Sequence, residues 1–209
     1  MTYTRVLQTS NSNLNRKDNA VRSHNALMSL VTGAVLLTAS VPQVVATDAT
    51  IWHIKAVHPE GRLLDVKAMD QSGEIHDVKA IEEAGNRHLM DIKALVDGKK
   101  LPVKVLVSDD KYAPVKAIGE DGTLFDIKAL TPEGMKLDVK GVKRRGNIID
   151  IKAITADGKF YGVKAISPRG QLYDVKGVKM SVDDVEATIN GVPVAAHIKA
   201  LPQAPTFVD

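Results

Sequence analysis

The chain contains no cysteine, which excludes disulfide staples, a thiolate metal site, a cysteine nucleophile and a lipid-modified cysteine. Aromatic residues make up only 4% of it, with a single tryptophan, and neither an aromatic–glycine repeat signature nor the four-strand period of a propeller is present. It also lacks a phosphate loop, a dinucleotide fingerprint, a nucleophile elbow and a zinc-protease helix. No catalytic, cofactor or metal residues are therefore assigned, and the chain is expected not to be an enzyme.

A surplus of one charge is missing too. The formal net charge of +3 resides in the first 46 residues, where Arg5, Arg16, Lys17 and Arg22 stand against Asp18. The remainder is formally neutral, which argues against a nucleic-acid partner, since phosphate binding requires a Lys/Arg excess to release counterions. The local basic run Lys140, Lys143, Arg144 and Arg145 reads as a solvated turn.

Residues 1–25 are polar and Asn/Ser-rich, and Ala26 to Val41 is almost wholly apolar before Pro42 and Val44-Val45-Ala46. The apolar stretch is short for a membrane span, and small residues suit signal-peptidase cleavage after Ala46. Residues 1–46 are read as a signal peptide with an N-terminal signal helix, or as a retained anchor, and residues 47–209 as a β-repeat domain. The expected location is extracytoplasmic: periplasm, cell surface or medium. Membrane attachment is expected only through an uncleaved leader.

What the remainder has in abundance is one five-residue unit. His53-Ile54-Lys55-Ala56-Val57, Asp65-Val66-Lys67-Ala68-Met69 and Asp77-Val78-Lys79-Ala80-Ile81 open a series whose central lysines run on through Lys93, Lys104, Lys116, Lys128, Lys140, Lys152, Lys164, Lys176 and Lys199. Glu186 replaces lysine in one further copy. The residue before the centre is always Val or Ile. The one after it is Ala or Gly except for Val105. β-Branched residues with period two, bounded by turn residues, read as strands.

Gly61, Gly73, Gly85, Gly122, Gly134, Gly146, Gly158 and Gly170 each fall six after their lysine. Thr131-Pro132-Glu133-Gly134 and Ser167-Pro168-Arg169-Gly170 place proline second and glycine fourth, as in a type I turn closed by a glycine bulge. Asn190-Gly191 signals a separate two-residue hairpin. The fold class expected is all-β, an antiparallel meander of about twelve or thirteen short strands forming a sheet, sandwich or closed barrel. A parallel β-solenoid, which would stack lysine on lysine, is the alternative.

The turn fixes a register. With Thr131 facing Met135, Lys128 falls opposite Asp138, Ile127 opposite Val139 and Ala129 opposite Leu137. The same count pairs Lys116 with Asp126, Lys140 with Asp150 and Lys164 with Asp174, and sets Ala153 and Ala165 beside Tyr161 and Tyr173. One strand face, with Val/Ile, Ala/Gly and a large residue such as Leu64, Phe125, Tyr161 or Tyr173, is the expected core, where Trp52 also falls. The other carries a structural charge ladder: Asp65, Lys67, Asp77, Lys79, Asp126, Lys128, Asp138, Lys140, Asp150, Lys152, Asp174 and Lys176. Identical three-residue loops on a twelve-residue period put consecutive hairpins out of hydrogen-bonding phase, so a bulge or corner must intervene. Pro102 and Pro114 take the place of the repeated Asp, and a seam, edge or distorted strand is expected between Leu101 and Val115.

The histidines His53, His58, His76, His88 and His197 lack metal-ligand spacing, and His53 and His197 simply replace the repeated Asp. The functional expectation is a secreted or cell-envelope, non-enzymatic repeat protein with a structural or interaction role toward a protein or surface polymer. A β-barrel carrier of an apolar ligand is the alternative, and an outer-membrane barrel is disfavoured because the strands fall short of the 9–11 residues that a span requires.

Overall fold

Alternation of β-branched and charged residues forms strands wherever the five-residue unit occurs, and the glycine-bearing segments turn the chain back between them. The computed structural model describes residues 51–82, 89–180 and 187–203, and the structural statements below concern these. The leader (1–46), Gly85, His88 and Glu186 lie outside them. The described part is all-β and antiparallel, with thirteen strands.

The strands form four groups of three. The first holds β1 (Ile51–Val57), β2 (Leu63–Met69) and β3 (Ile75–Glu82), and the second β4 (Met90–Val96), β5 (Lys99–Leu106) and β13 (Val192–Pro202). The third holds β6 (Ala113–Ile118), β7 (Leu124–Leu130) and β8 (Lys136–Arg145), and the fourth β9 (Ile148–Ile154), β10 (Phe160–Ile166) and β11 (Leu172–Val178). Short β12 (Ala187–Ile189) pairs with the start of β13 around Asn190-Gly191, both at positive φ, as the two-residue hairpin signal predicts.

Within a group the three strands pair in a cycle. Lys55 of β1 faces Asp65 of β2, Lys67 of β2 faces Asp77 of β3, and Lys79 of β3 faces His53 back on β1. Each strand thus gives its first half to one neighbour and its second half to another. Its opposite edge joins a different group: β1 to β10, β2 to β7, β3 to β4, β5 to β6, β8 to β9 and β11 to β13. Four three-strand corners joined by six edges have the connectivity of a tetrahedron.

This arrangement answers the phase problem of the repeat. Residues two apart direct their backbone groups to the same edge of a strand, so Asp65 and Lys67 bond to β1 and β3 on one edge while β7 takes the other. Consecutive hairpins share an edge by sharing out its length. No alternation of turn type is needed within a corner.

The type I turns form as expected. Thr131 N–H donates to Met135 O at 3.0 Å and Gly134 N–H to Thr131 O at 2.9 Å, with Gly134 at φ +83°. Lys128 faces Asp138, Ala129 faces Leu137, Ala153 faces Tyr161 and Ala165 faces Tyr173. Two register expectations are corrected. Ile127 pairs with Ala68 and Val139 with Ala153, because the β7–β8 hairpin ends at the corner. Lys140 faces Lys152 rather than Asp150, because a two-residue turn at Gly146-Asn147 and a register shift between Gly141 and Lys143 carry β8 across to the next corner.

The prolines do not make an edge. Pro102 sits in β5 opposite Lys93 and Pro114 in β6 opposite Lys140, and both strands are paired along both edges. The irregularity expected between Leu101 and Val115 is a seam, the longer connection over residues 107–112 by which the chain passes from the second corner to the third, and β13 adds a shift between Val194 and Ala196.

The Val or Ile before each lysine, from Ile54 to Ile198, points to a common centre, where those twelve side chains leave about 10 Å³. Around them lie the small residues after each lysine and the large residues before each Asp, including buried Trp52, Leu64 and Tyr161, with Phe125 and Tyr173 partly buried. Three small-residue positions depart from alanine together. Val105, Gly141 and Gly177 meet at one place: a Cβ on Gly141 would lie 3.4 Å from a Val105 methyl, and one on Gly177 3.1 Å from the other.

Candidate functional site

The outward-facing positions build a ring of charge at each corner. Lys55 donates to Asp65, Lys67 to Asp77, Lys116 to Asp126, Lys128 to Asp138, Lys164 to Asp174, Lys176 to Asp150 and Lys199 to Asp91. Five of these pairs lie within consecutive hairpins and Lys176–Asp150 across the closing pair of a corner, so the ladder residues are brought together except Lys152, which makes no ion pair among the described residues. Several aspartates bridge two amines. Asp77 also meets Lys79 at 3.1 Å, Asp126 meets Lys128 at 3.3 Å, Asp91 meets Lys93 at 3.5 Å and Asp138 meets Lys140 at 4.0 Å.

The lysine bonds hold Asp65, Asp77 and Asp150 below the usual carboxylate range, against the opposing effect of burial. Burial pushes Asp126 up, but Lys116 and Lys128 outweigh it and its pKa is lowered. Lysine also faces lysine at all six inter-corner edges, for example Lys55 and Lys164 or Lys67 and Lys128. The antiparallel direction lets the two side chains diverge, each toward its own corner. Such part-exposed ion pairs are worth about 0–1 kcal/mol each. They select register more than they add stability.

Where the repeat departs from Asp, the ring changes character. His53 Nδ1 meets Lys79 Nζ at 3.0 Å, and His197 Nδ1 meets Lys104 Nζ, whose side chain is buried. Burial lowers both imidazole pKa values, reinforced by Lys79 and Lys55 at His53 and by Lys104 and Lys199 at His197. Both histidines are consequently neutral near pH 7.

A second feature is a groove of about 730 Å³ between the first, third and fourth corners. Leu64, Leu137 and Tyr161, equivalent positions of three copies, lie at its base, and the loops His58–Arg62, Thr131–Met135 and Thr155–Lys159 surround it. His58 packs edge-on against Tyr161 with centroids 4.8 Å apart, and Tyr112 against Phe160 at 5.7 Å. Met135 at its rim is exposed, and the exposed Leu63 and Phe160 immediately precede Leu64 and Tyr161 in their strands. Sequence reasoning missed this groove, because its residues lie far apart in the chain. Their common place in the repeat was the available signal.

Of the basic run, Lys140 lies within the ladder. Lys143, Arg144 and Arg145 extend β8 as exposed residues, Lys143 opposite Asp150. Asp70, Glu74 and His76 can bring ligand atoms within 4.8 Å of one another, but Asp70 already accepts from Ser72 Oγ and the Glu74 N–H at 2.8 Å.

No curated protein and no solved structure matches the chain. Residues 48–201, which take in almost every strand described above, match a protein family described as a family of unknown function, DUF7486, and the chain belongs to it.

Proposed function

We propose that the protein is a non-enzymatic repeat protein of the cell envelope or extracellular space, with a structural or interaction role. Its twelve strand units form a closed β shell rather than a solenoid, and its leader is a signal peptide removed after Ala46. The observation that carries this reading is the sameness of the chemistry. An acid/base catalyst requires one pair whose environment differs from the rest, whereas an Asp–Lys pair recurs at all four corners. The groove over Leu64, Leu137 and Tyr161, with its exposed apolar rim, is the contact surface for a protein or surface polymer. The balanced charge of the repeat domain speaks against nucleic acid.

The space of about 10 Å³ at the centre weighs against the carrier reading, since ligand pockets run to roughly 300–1,000 Å³. Fractionation of the native host with determination of the mature N-terminus tests the proposal. The expected product begins at Thr47 in an extracytoplasmic fraction. A cytosolic pool that retains the leader overturns it.

A further inference from the structure

Gly162 occupies the position at which most copies of the repeat carry aspartate. Across the hairpin it faces Lys152, and Lys164 follows two residues later. In four other copies the aspartate at this position touches both equivalent lysines: Asp77 contacts Lys67 and Lys79, Asp126 contacts Lys116 and Lys128, Asp138 contacts Lys128 and Lys140, and Asp91 contacts Lys199 and Lys93. His53, His197, Pro102 and Pro114 fill the position with a ring in their copies. Glycine fills it with nothing. A Cβ built there meets Lys152 Nζ and Lys164 Cε at 3.9 Å, ordinary contact distance, and the backbone is not in the left-handed region.

The consequence falls on Lys152. Every other central lysine has a hydrogen bond or ion pair, whereas Lys152 has neither among the described residues. Its ring neighbours make their ion pairs elsewhere, Asp150 with Lys176 and Asp174 with Lys164, and Lys152 acts on Asp150 only as a nearby charge that helps lower its pKa. Lys164 can serve two acceptors, as Lys128 does for Asp126 and Asp138. Gly162, Lys152 and Lys164 are all part-exposed.

We infer that the Gly162 gap is a binding site for an external carboxylate, held between the amines of Lys152 and Lys164 as the missing aspartate would be. The ligand class follows from the repeat itself, in which a carboxylate is the group that bridges this pair of amines. The group can come from a small free acid or from an acidic side chain of a partner protein. The site lies outside the groove and does not depend on the role given to it.

A two-dimensional NMR titration of the full chain at constant ionic strength tests the assignment, with sodium acetate and N-acetyl-aspartate N-methylamide as probes and sodium chloride as control. Saturable shifts are expected at Lys152, Gly162 and Lys164 with at least one carboxylate and not with chloride. Binding to acetate alone assigns the site to free acids, and binding to the aspartyl probe alone assigns it to protein side chains. G162D, which supplies the carboxylate internally, is expected to abolish the shifts, and K152M to weaken binding at least about tenfold, the equivalent of one charge-assisted bond. Absence of shifts with both probes, or equal binding by folded G162D or K152M, overturns the inference.

Discussion

Replacing Gly141 or Gly177 with alanine adds one carbon where the core has no room for it. On Gly141 the new Cβ would come within 2.9 Å of Ile149 Cγ2, and on Gly177 within 3.1 Å of both Ile149 Cβ and a Val105 methyl. Overpacking of this kind costs about 1–3 kcal/mol per site. Val105→Ala removes two fully buried methyl groups, at about 0.5–1.5 kcal/mol each. Each single change is therefore destabilising. The triple variant V105A/G141A/G177A removes two carbons and adds two, restoring the three-alanine set found elsewhere in the repeat. Trimming Val105 relieves only its own 3.1 Å contact with the Gly177 Cβ and leaves the Ile149 contacts at 2.9 and 3.1 Å in place, so the triple is expected to be destabilised by less than the sum of its singles yet to remain below the parent. Urea unfolding of the singles, doubles and triple measures the coupling. A triple variant as unstable as the sum of its singles refutes the idea that Val105 is paid for by the two glycines.

His197 and His53 are held below the usual imidazole pKa of 6.5, so below that pH the unfolded chain binds protons that the folded one refuses. Stability is expected to fall as pH drops from about 6.5 toward the folded values, and H53Q/H197Q to flatten that limb in urea titrations between pH 7.5 and 5. Asp65, Asp77 and Asp150 are shifted the other way. The stability they contribute is present above the ordinary aspartate pKa of 3.8 and is lost as pH falls through their lower folded values, a loss that the corresponding Asn variants show in diminished form during acid titration. H197D, which places a carboxylate opposite Lys104, is expected to raise the urea midpoint at pH 7. Gly98 closes the two-residue β4–β5 turn at φ +76°, so G98A is expected to cost about 1–2 kcal/mol in thermal or urea unfolding.

The strands and the turns were legible because both are local. Val/Ile before Lys sets the period, and Thr131-Pro132-Glu133-Gly134 sets a hairpin whose register carries Lys128 to Asp138 without any knowledge of the rest of the molecule. The inter-corner edges were not legible, because twelve nearly identical units give no sequence reason for β2 to choose β7 rather than any other copy. Lys140 was misplaced for a related cause: the shift after Gly141 and the two-residue turn at Gly146-Asn147 replace the three-residue loop that the glycine spacing suggests. The gap at Gly162 could have been seen in the aligned copies. Its meaning required the knowledge that an aspartate at this position bridges two lysines, which only the packing supplies.

The second corner unites β4 and β5 with β13, which is separated from them by the whole of the third and fourth corners. A chain delivered from its N-terminus through a ribosome or a translocation channel must therefore hold β4, β5 and β11 with incomplete edges until β13 arrives. Such distant pairings form late and slowly, and open strand edges invite pairing with foreign chains in the interval. Synthesis and folding are thus separated in time for this molecule, and proteolytic loss of β13 would reopen one corner and one of the six seams that bind the corners together.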